Sequence, residues 1–146
     1  MVQDLGTYTF TRDSILRFAA KFDPQPFHLN DAAAEDSHFG ALCASGWHTA
    51  SVFMKLNVER GRKEFYRLTG YDGPPVEFGP SPGMRNIRWE LPVYVGESIR
   101  YTNTLNSKRK LPNRPGWGLI TNTSEAFKED GSRVLTMDGA VMVRTD

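Results

Sequence analysis

The first apolar pattern along the chain is that of a helix. Hydrophobic residues recur every three or four positions, as they do on one buried helix face, at Ile15, Phe18, Ala19 and Phe22. Thr11 stands where its hydroxyl can cap the first turn, and the residue before Pro24 is biased away from helical geometry. The spacing therefore predicts a helix over residues 12–22.

A second apolar pattern predicts a longer helix over residues 47–60, beginning after Ser45-Gly46. One stripe of this segment is formed by Trp47, Ala50, Ser51, Met54 and Val58. Because further apolar residues flank the stripe on both sides, we expect this helix to be deeply buried. Gly61 stands where it could end the helix.

The segments around these helices carry turn-forming residues. Residues 23–30 read DPQPFHLN, and two prolines in three positions predict a rigid, non-helical loop. A short helix is expected over residues 31–35, capped by Asn30 or Asp31. Residues 63–83 are rich in glycine and proline, which predicts a long loop.

The second half of the chain has the alternation typical of strands. Four such runs cover residues 84–91, 98–105, 116–127 and 134–143. Asp130-Gly131 between the last two is a hairpin signal. Helices followed by a run of antiparallel strands indicate an α+β fold, in which a curved antiparallel sheet wraps around one long central helix.

Composition and charge narrow the classes of function. The 146 residues fit a single domain, and 18 Lys and Arg against 17 Asp and Glu leave a net charge of +1, which disfavours a nucleic-acid partner. The single cysteine, Cys43, cannot form an internal disulfide, and the three histidines lack metal-ligand spacing, so we expect no metal and no cofactor. No membrane-length apolar run and no signal peptide are visible, so we expect a cytoplasmic protein without a membrane partner.

Two pairs of residues are candidates for chemistry. Asp23 and His28 stand five positions apart, and a carboxylate with an imidazole is the usual acid–base pair near neutral pH. Gly46 at the start of the central helix leaves a backbone N–H free to bind a developing oxyanion, supported by Ser45 as the helix cap. Taken alone, a carboxylate at a helix end, a histidine in a loop and a capping serine more often have structural roles.

A family resemblance favours the catalytic interpretation. The stretch DPQPFHLNDAAAEDSHFGALCASGWHTASVF resembles the signature of the MaoC-like dehydratases, the R-specific enoyl-CoA hydratases of the hotdog fold. Asp23 and His28 match its two catalytic positions, and Gly46 matches its helix-start glycine. The later stretch NIRWELPVYVGESI is similar to the next conserved segment of that family. Gln25 stands where the family usually has asparagine, and Ser45 where histidine often precedes the glycine.

The resemblance implies a single hotdog domain over residues 1–146 and a hydro-lyase activity. Such enzymes add water to a trans-2-enoyl thioester, giving an (R)-3-hydroxyacyl thioester, or remove it. Asp23 and His28 would activate one water, and the Gly46 N–H would polarise the thioester carbonyl. The substrate would be an acyl-CoA or an acyl-carrier-protein thioester.

Other expectations concern partners and alternatives. A locally basic set, formed by Arg85, Arg88, Lys108, Arg109, Lys110 and Arg114, could supply one or two contacts to CoA phosphates. Five aromatic residues could line an acyl pocket, although core packing is the commoner role: Trp47, Phe53, Trp89, Tyr94 and Trp117. Since hotdog sheets leave apolar surface uncovered, we expect a homodimer. A hotdog thioesterase is disfavoured because residues 47–58 contain no Asp or Glu, and a non-catalytic acyl-CoA-binding module stays open.

Overall fold

The computed structural model describes residues 1–145 and consists of one antiparallel sheet and five helices. The helices are α1 (Arg12–Phe22), α2 (Pro26–Leu29), α3 (Asp31–Glu35), α4 (Gly46–Leu56) and α5 (Arg62–Thr69). The strands are β1 (Val2–Thr9), β2 (Met84–Trp89), β3 (Ser98–Lys110), β4 (Trp117–Phe127) and β5 (Arg133–Arg144). Their order in the sheet is β1-β3-β4-β5-β2, with every neighbouring pair antiparallel. Within residues 1–145, no helix has both the length and the apolar character that crossing a membrane requires.

The core lies between the sheet and α4. Val52, Phe53 and Leu56 of α4 are buried in the same cluster as Ile99, Tyr101, Ala126, Leu135 and Met137 of the sheet. The Tyr101 hydroxyl donates a hydrogen bond of 2.9 Å to the Thr49 carbonyl oxygen. Burial raises the pKa of Tyr101 far above its usual value, so the phenol stays protonated as the donor. This arrangement confirms the predicted α+β fold with a sheet around a central helix.

Helix α1 has the predicted bounds, with one difference on its apolar face. The Thr11 hydroxyl accepts a hydrogen bond of 3.2 Å from the Ser14 N–H, as expected of the cap. Phe22, predicted on the buried face, is 69% exposed. The core contact of α1 stops at Ala19, so the last residue of the helix extends past it into solvent.

The central helix is longer than predicted. After α4 the chain makes a π-helical turn over Asn57–Gly61 and continues as α5 to Thr69, where Gly70 adopts a left-handed conformation (φ +62°). Gly61 therefore does not end the helix. It is buried inside it, and a Cβ at this position would lie 2.6 Å from Asn57 Oδ1. The loop predicted over residues 63–83 is correspondingly shorter, because residues 62–69 are helical.

The predicted buried stripe of the central helix faces solvent instead. Trp47 is 55% exposed and Val58 71%, whereas Val52, Phe53 and Leu56 contact the sheet. Both sides of this helix are apolar, so periodicity identifies the helix but not which side is covered. The exposed side is available to a ligand or a second chain.

The remaining elements follow the prediction with changes at their ends. All four predicted strands are present. A fifth strand, β1, pairs with β3. It begins at Val2, whereas the sequence predicts an extended segment only over residues 7–10. The region 23–30 is not wholly non-helical, since Pro26–Leu29 forms one helical turn. Pro26 is compatible with this turn because it occupies the first helical position, where a missing N–H costs no hydrogen bond.

Candidate active site

Asp23 and His28 face each other at the junction of α1 and α2. Asp23 follows the last residue of α1 and is held there by its N–H, which donates to the Ala19 carbonyl oxygen (2.9 Å). The single turn of α2 then brings His28 back, so that its Nε2 lies 3.5 Å from Asp23 Oδ2. The side chain of His28 is only 6% exposed and that of Asp23 only 15%. The pair predicted from the sequence is therefore assembled in the structure.

A backbone contact orients the imidazole of His28. Its Nδ1 lies 2.7 Å from the carbonyl oxygen of Cys43. Because a carbonyl oxygen can only accept, Nδ1 carries a proton in this contact. The Phe27 ring contacts the imidazole edge-on at 4.6 Å between centroids. These contacts direct Nε2 at Asp23.

The carboxylate of Asp23 is held by two donors. Ser45 Oγ donates to Oδ2 and Gln25 Nε2 donates to Oδ1, both over 2.7 Å. Burial raises the pKa of Asp23, but these hydrogen bonds together with the His28 ring outweigh it and hold the pKa below its usual value. Asp23 is therefore ionised at neutral pH, and Gln25 supplies the amide that the family's usual asparagine would supply.

Ser45 also begins the central helix. It is fully buried, and its hydroxyl accepts a 3.2 Å hydrogen bond from the Trp47 N–H while it donates to Asp23. The preceding Ala44 N–H donates to the Val93 carbonyl oxygen (2.8 Å), which ties the start of α4 to the segment after β2. The first N–H of the helix, that of Gly46, makes no hydrogen bond to another group within residues 1–145.

The Trp89 side chain packs against Gly46 and restricts position 46 to glycine. Sequence reasoning missed this contact. The Trp89 Nε1–H donates to the Gly46 carbonyl oxygen over 2.7 Å. A Cβ on Gly46 would lie 2.6 Å from that same indole nitrogen, so a side chain there would displace the indole. The only advance signal for this contact was the position of Trp89 at the end of a predicted strand.

These groups share one cavity of about 610 Å³. Asp23, His28 and Gly46 line it, while Ser45 lies behind Asp23 in the protein interior. Its other walls are mainly apolar and include Phe27, Phe39, Trp47, Ala44, Trp89, Val93 and Tyr94. The arrangement combines an ionised carboxylate, an imidazole and a backbone donor in a mostly apolar space.

The other residues singled out in the sequence are distributed differently. Phe53 lies in the core, and Trp117 contacts Arg144 at the far end of the sheet. Among residues 1–145, the walls of this cavity include none of the six basic residues that the sequence suggested as contacts to CoA phosphates. His48 is buried and stacked on Phe18, and burial lowers its pKa to about 4, so it has a packing role. Within residues 1–145 there is no cluster of three or more His, Cys, Asp or Glu side chains that could hold a metal ion.

With this geometry in place, comparison with known proteins becomes informative. Residues 2–116 match the family model of the MaoC-like domain. The chain belongs to the MaoC-like domain family. The expectations of a hotdog fold and of this family are thereby confirmed, and the family is one of dehydratases and hydratases.

Individual relatives agree with the family match. The chain is 26% identical to the 3-hydroxyacyl-thioester dehydratase Z of Mycobacterium tuberculosis over 80% of this chain and 72% of that protein. It is 26% identical to the uncharacterized protein YdeM of Bacillus subtilis over 92% of this chain and 86% of that protein. The crystal structure of the MaoC-like dehydratase from Rhodospirillum rubrum superposes with a TM-score of 0.82 at 29% identity, covering 100% of this chain and 92% of that one.

The hydrogen bond from Ser45 to Asp23 predicts a shift that can be measured directly. In Ser45→Ala the carboxylate loses a donor that stabilises its charged form, so we expect the pKa of Asp23 to rise. Carboxyl-carbon NMR titration of the wild type and the variant measures this. Ser45→Ala also loses a helix cap, at a cost of about 1 kcal/mol. Thr11→Ala removes the cap of α1 and serves as the control, with no donor to Asp23 lost. An unchanged Asp23 pKa in Ser45→Ala would contradict the assignment.

Proposed function

We propose that this protein catalyses the reversible hydration of a trans-2-enoyl thioester to an (R)-3-hydroxyacyl thioester, with Asp23 and His28 as the catalytic residues. The observation that carries the proposal is the 3.5 Å separation of His28 Nε2 and Asp23 Oδ2. In the proposed mechanism the His28 ring is neutral and carries its proton on Nδ1, which donates to the Cys43 carbonyl oxygen, so that Nε2 and Asp23 Oδ2 are both acceptors. Two acceptors facing each other in a mainly apolar cavity call for a donor of two hydrogen atoms.

Water is that donor. One water molecule can give one O–H to the Asp23 carboxylate and the other to His28 Nε2, which leaves an oxygen lone pair free to attack. In the hydration direction the water oxygen bonds to the β-carbon as one acceptor takes its proton. The double-bond electrons move toward the thioester carbonyl, and the pair returns a proton to the α-carbon. In the opposite direction the same groups expel water.

The Gly46 N–H would stabilise the charge that develops on the thioester carbonyl oxygen. It is the first N–H of α4, where the helix dipole adds partial positive charge, and it borders the same cavity as the pair. Ser45 acts as a positioning residue, since its one hydroxyl both orients the Asp23 carboxylate and caps this helix.

The choice of substrate class rests on the family and on the relative named a 3-hydroxyacyl-thioester dehydratase, whose reaction is the dehydration written above. The thioester would be carried by CoA or by an acyl-carrier protein. A hotdog thioesterase is less well supported, because α4 carries no carboxylate that could activate water against the carbonyl carbon.

The proposed roles predict a large loss of activity in two variants. We expect Asp23→Asn and His28→Ala each to lower kcat for hydration of crotonyl-CoA at least ~100-fold, because an asparagine amide cannot take a proton from water and alanine has no imidazole. Loss of the enoyl absorbance measures the rate. Asp13→Asn changes an exposed carboxylate on α1, the helix that Asp23 follows. This variant serves as the matched control and is expected to keep wild-type activity.

Other outcomes of this assay would replace the proposal. A wild type that is no faster than Asp23→Asn on any enoyl thioester would contradict it. Calorimetric binding of acyl-CoA without turnover would instead indicate a non-catalytic acyl-CoA-binding module. Release of free thiol from a saturated acyl-CoA would indicate a thioesterase.

We also propose that the chain forms a homodimer through the exposed side of α4. This side carries three apolar residues that are each about half exposed or more: Trp47, Met54 and Val58. The last strand of the sheet, β2, lies beside them through the contact of Trp47 with Trp89, and its outer edge is free. Exposed apolar side chains next to an unpaired strand edge are typical of a surface that a second chain covers.

The dimer proposal predicts the effect of one charge. We expect a sedimentation mass of two chains for the wild type and of one chain for Val58→Lys, because an ammonium would be buried at the interface beside the like charge of Arg62, one helical turn away. Ala20→Lys puts the same charge on an exposed position of α1 and is expected to remain dimeric. A wild type with the mass of a single chain would show that this surface is not a dimer interface.

A further inference from the structure

A second cavity of about 460 Å³ is bordered, like the first, by α4 and β2. The first cavity is bordered by the start of α4 and the end of β2, at Gly46 and Trp89. The second is bordered by the end of α4 and the start of β2, at Met54 and Met84. The two cavities therefore lie at opposite ends of this pair of elements.

The second cavity has apolar walls and an amide-rich lining. Its apolar residues include Phe53, Met54, Val58, Phe65, Phe78, Leu105, Ile120 and Val141. Four amide side chains also line it: Gln3, Asn57, Asn103 and Asn122. A cavity that only received an alkyl chain would have no use for four amides, since each polar group costs free energy to desolvate.

The amides form a connected network. Asn122 Nδ2 donates to Asn103 Oδ1 (2.8 Å), Asn103 Nδ2 donates to Gln3 Oε1 (3.0 Å), and Gln3 Nε2 donates to the Gly61 carbonyl oxygen (2.9 Å). Gln3 and Asn103 are buried, so these bonds hold the lining rigidly. The side chain of Asn57 has no hydrogen-bond partner within residues 1–145 and remains available to a ligand.

The π-helical turn Asn57–Gly61 builds part of this lining. It interrupts an otherwise continuous helix at the cavity, with Asn57, Val58 and Gly61 on the cavity wall. The Gly61 carbonyl oxygen is the acceptor at the end of the amide network. Such turns are rare and frequently lie at functional sites.

Arg62 is the only charged residue on the cavity wall within residues 1–145, and no acidic residue accompanies it there. Its guanidinium carbon lies 5.1 Å from the centre of the Phe78 ring, which holds it at the cavity. No carboxylate of residues 1–145 lies within 4.0 Å of it as an ion-pair partner. A guanidinium of this kind is suited to a carboxylate ligand.

We infer that the acyl chain runs from Gly46 through a groove between α4 and β2, and that its distal end carries a carboxylate bound in the second cavity by Arg62 and the amides. This inference rests on the proposed function and names its substrate class, an enoyl thioester with a terminal carboxylate. The seven helical steps from Gly46 to Phe53 span about 10 Å, so the acyl chain is of medium length.

The test compares two probes that differ only at the distal end: trans-2-decenedioyl-CoA, with a terminal carboxylate, and trans-2-decenoyl-CoA, with a methyl group. The wild type is expected to have a kcat/KM at least about tenfold higher for the dicarboxylic probe, as one charge-assisted hydrogen bond provides. In Arg62→Leu this ratio is expected to fall toward one, mainly through a higher KM for the dicarboxylic probe. Arg109→Leu, an exposed arginine on β3, is the matched control and is expected to keep the wild-type ratio.

The outcomes separate this inference from the proposed function. Equal or faster hydration of the methyl-ended probe overturns the inference and leaves the hydratase proposal intact. A ratio that is unchanged in Arg62→Leu also overturns it. If neither probe is hydrated, calorimetry with the same two thioesters still decides the inference: tighter binding of the dicarboxylic probe supports it, and equal binding contradicts it.

Discussion

The candidate site depends on the position of one short segment, Cys43–Gly46. The Cys43 carbonyl oxygen accepts a hydrogen bond from Nδ1 of His28 and so directs Nε2 at Asp23. Ser45 donates to Asp23 and caps α4, and Gly46 offers the first N–H of that helix. The segment is itself fixed by the bond from Ala44 to Val93. A shift of this segment would disturb the imidazole, the carboxylate and the backbone donor together, because each of them depends on at least one group of the segment.

Much of the fold follows from periodicity, and its limits have physical causes. Helix α1 and the strands β2, β4 and β5 lie close to their predicted bounds, whereas β3 continues to Lys110, five residues past its predicted end. The orientation of α4 could not be predicted, because both of its sides are apolar and the sheet covers only one. Its continuation through Gly61 was missed as well. Glycine usually ends a helix, but here a π-helical turn buries it against Asn57.

The residues of the site could be predicted, whereas their electrostatics could not. The spacing of Asp23 and His28 and the family signature identify the pair and Gly46. The low pKa of Asp23 depends on donors from Gln25 and Ser45, and contacts between residues far apart in sequence become visible only in the folded chain. The same holds for Trp89 over Gly46 and for the amide-lined cavity at the other end of the groove.

The proposed mechanism requires a neutral His28 that presents an unprotonated Nε2 to the ionised Asp23 across a gap that water can bridge. Nitrogen-15 NMR of the histidine rings at neutral pH tests this most directly. The account predicts that His28 Nδ1 has the chemical shift of a protonated nitrogen and Nε2 that of a bare one, because Nδ1 donates to Cys43. A proton on Nε2 would place a direct donor against Asp23 and contradict the account.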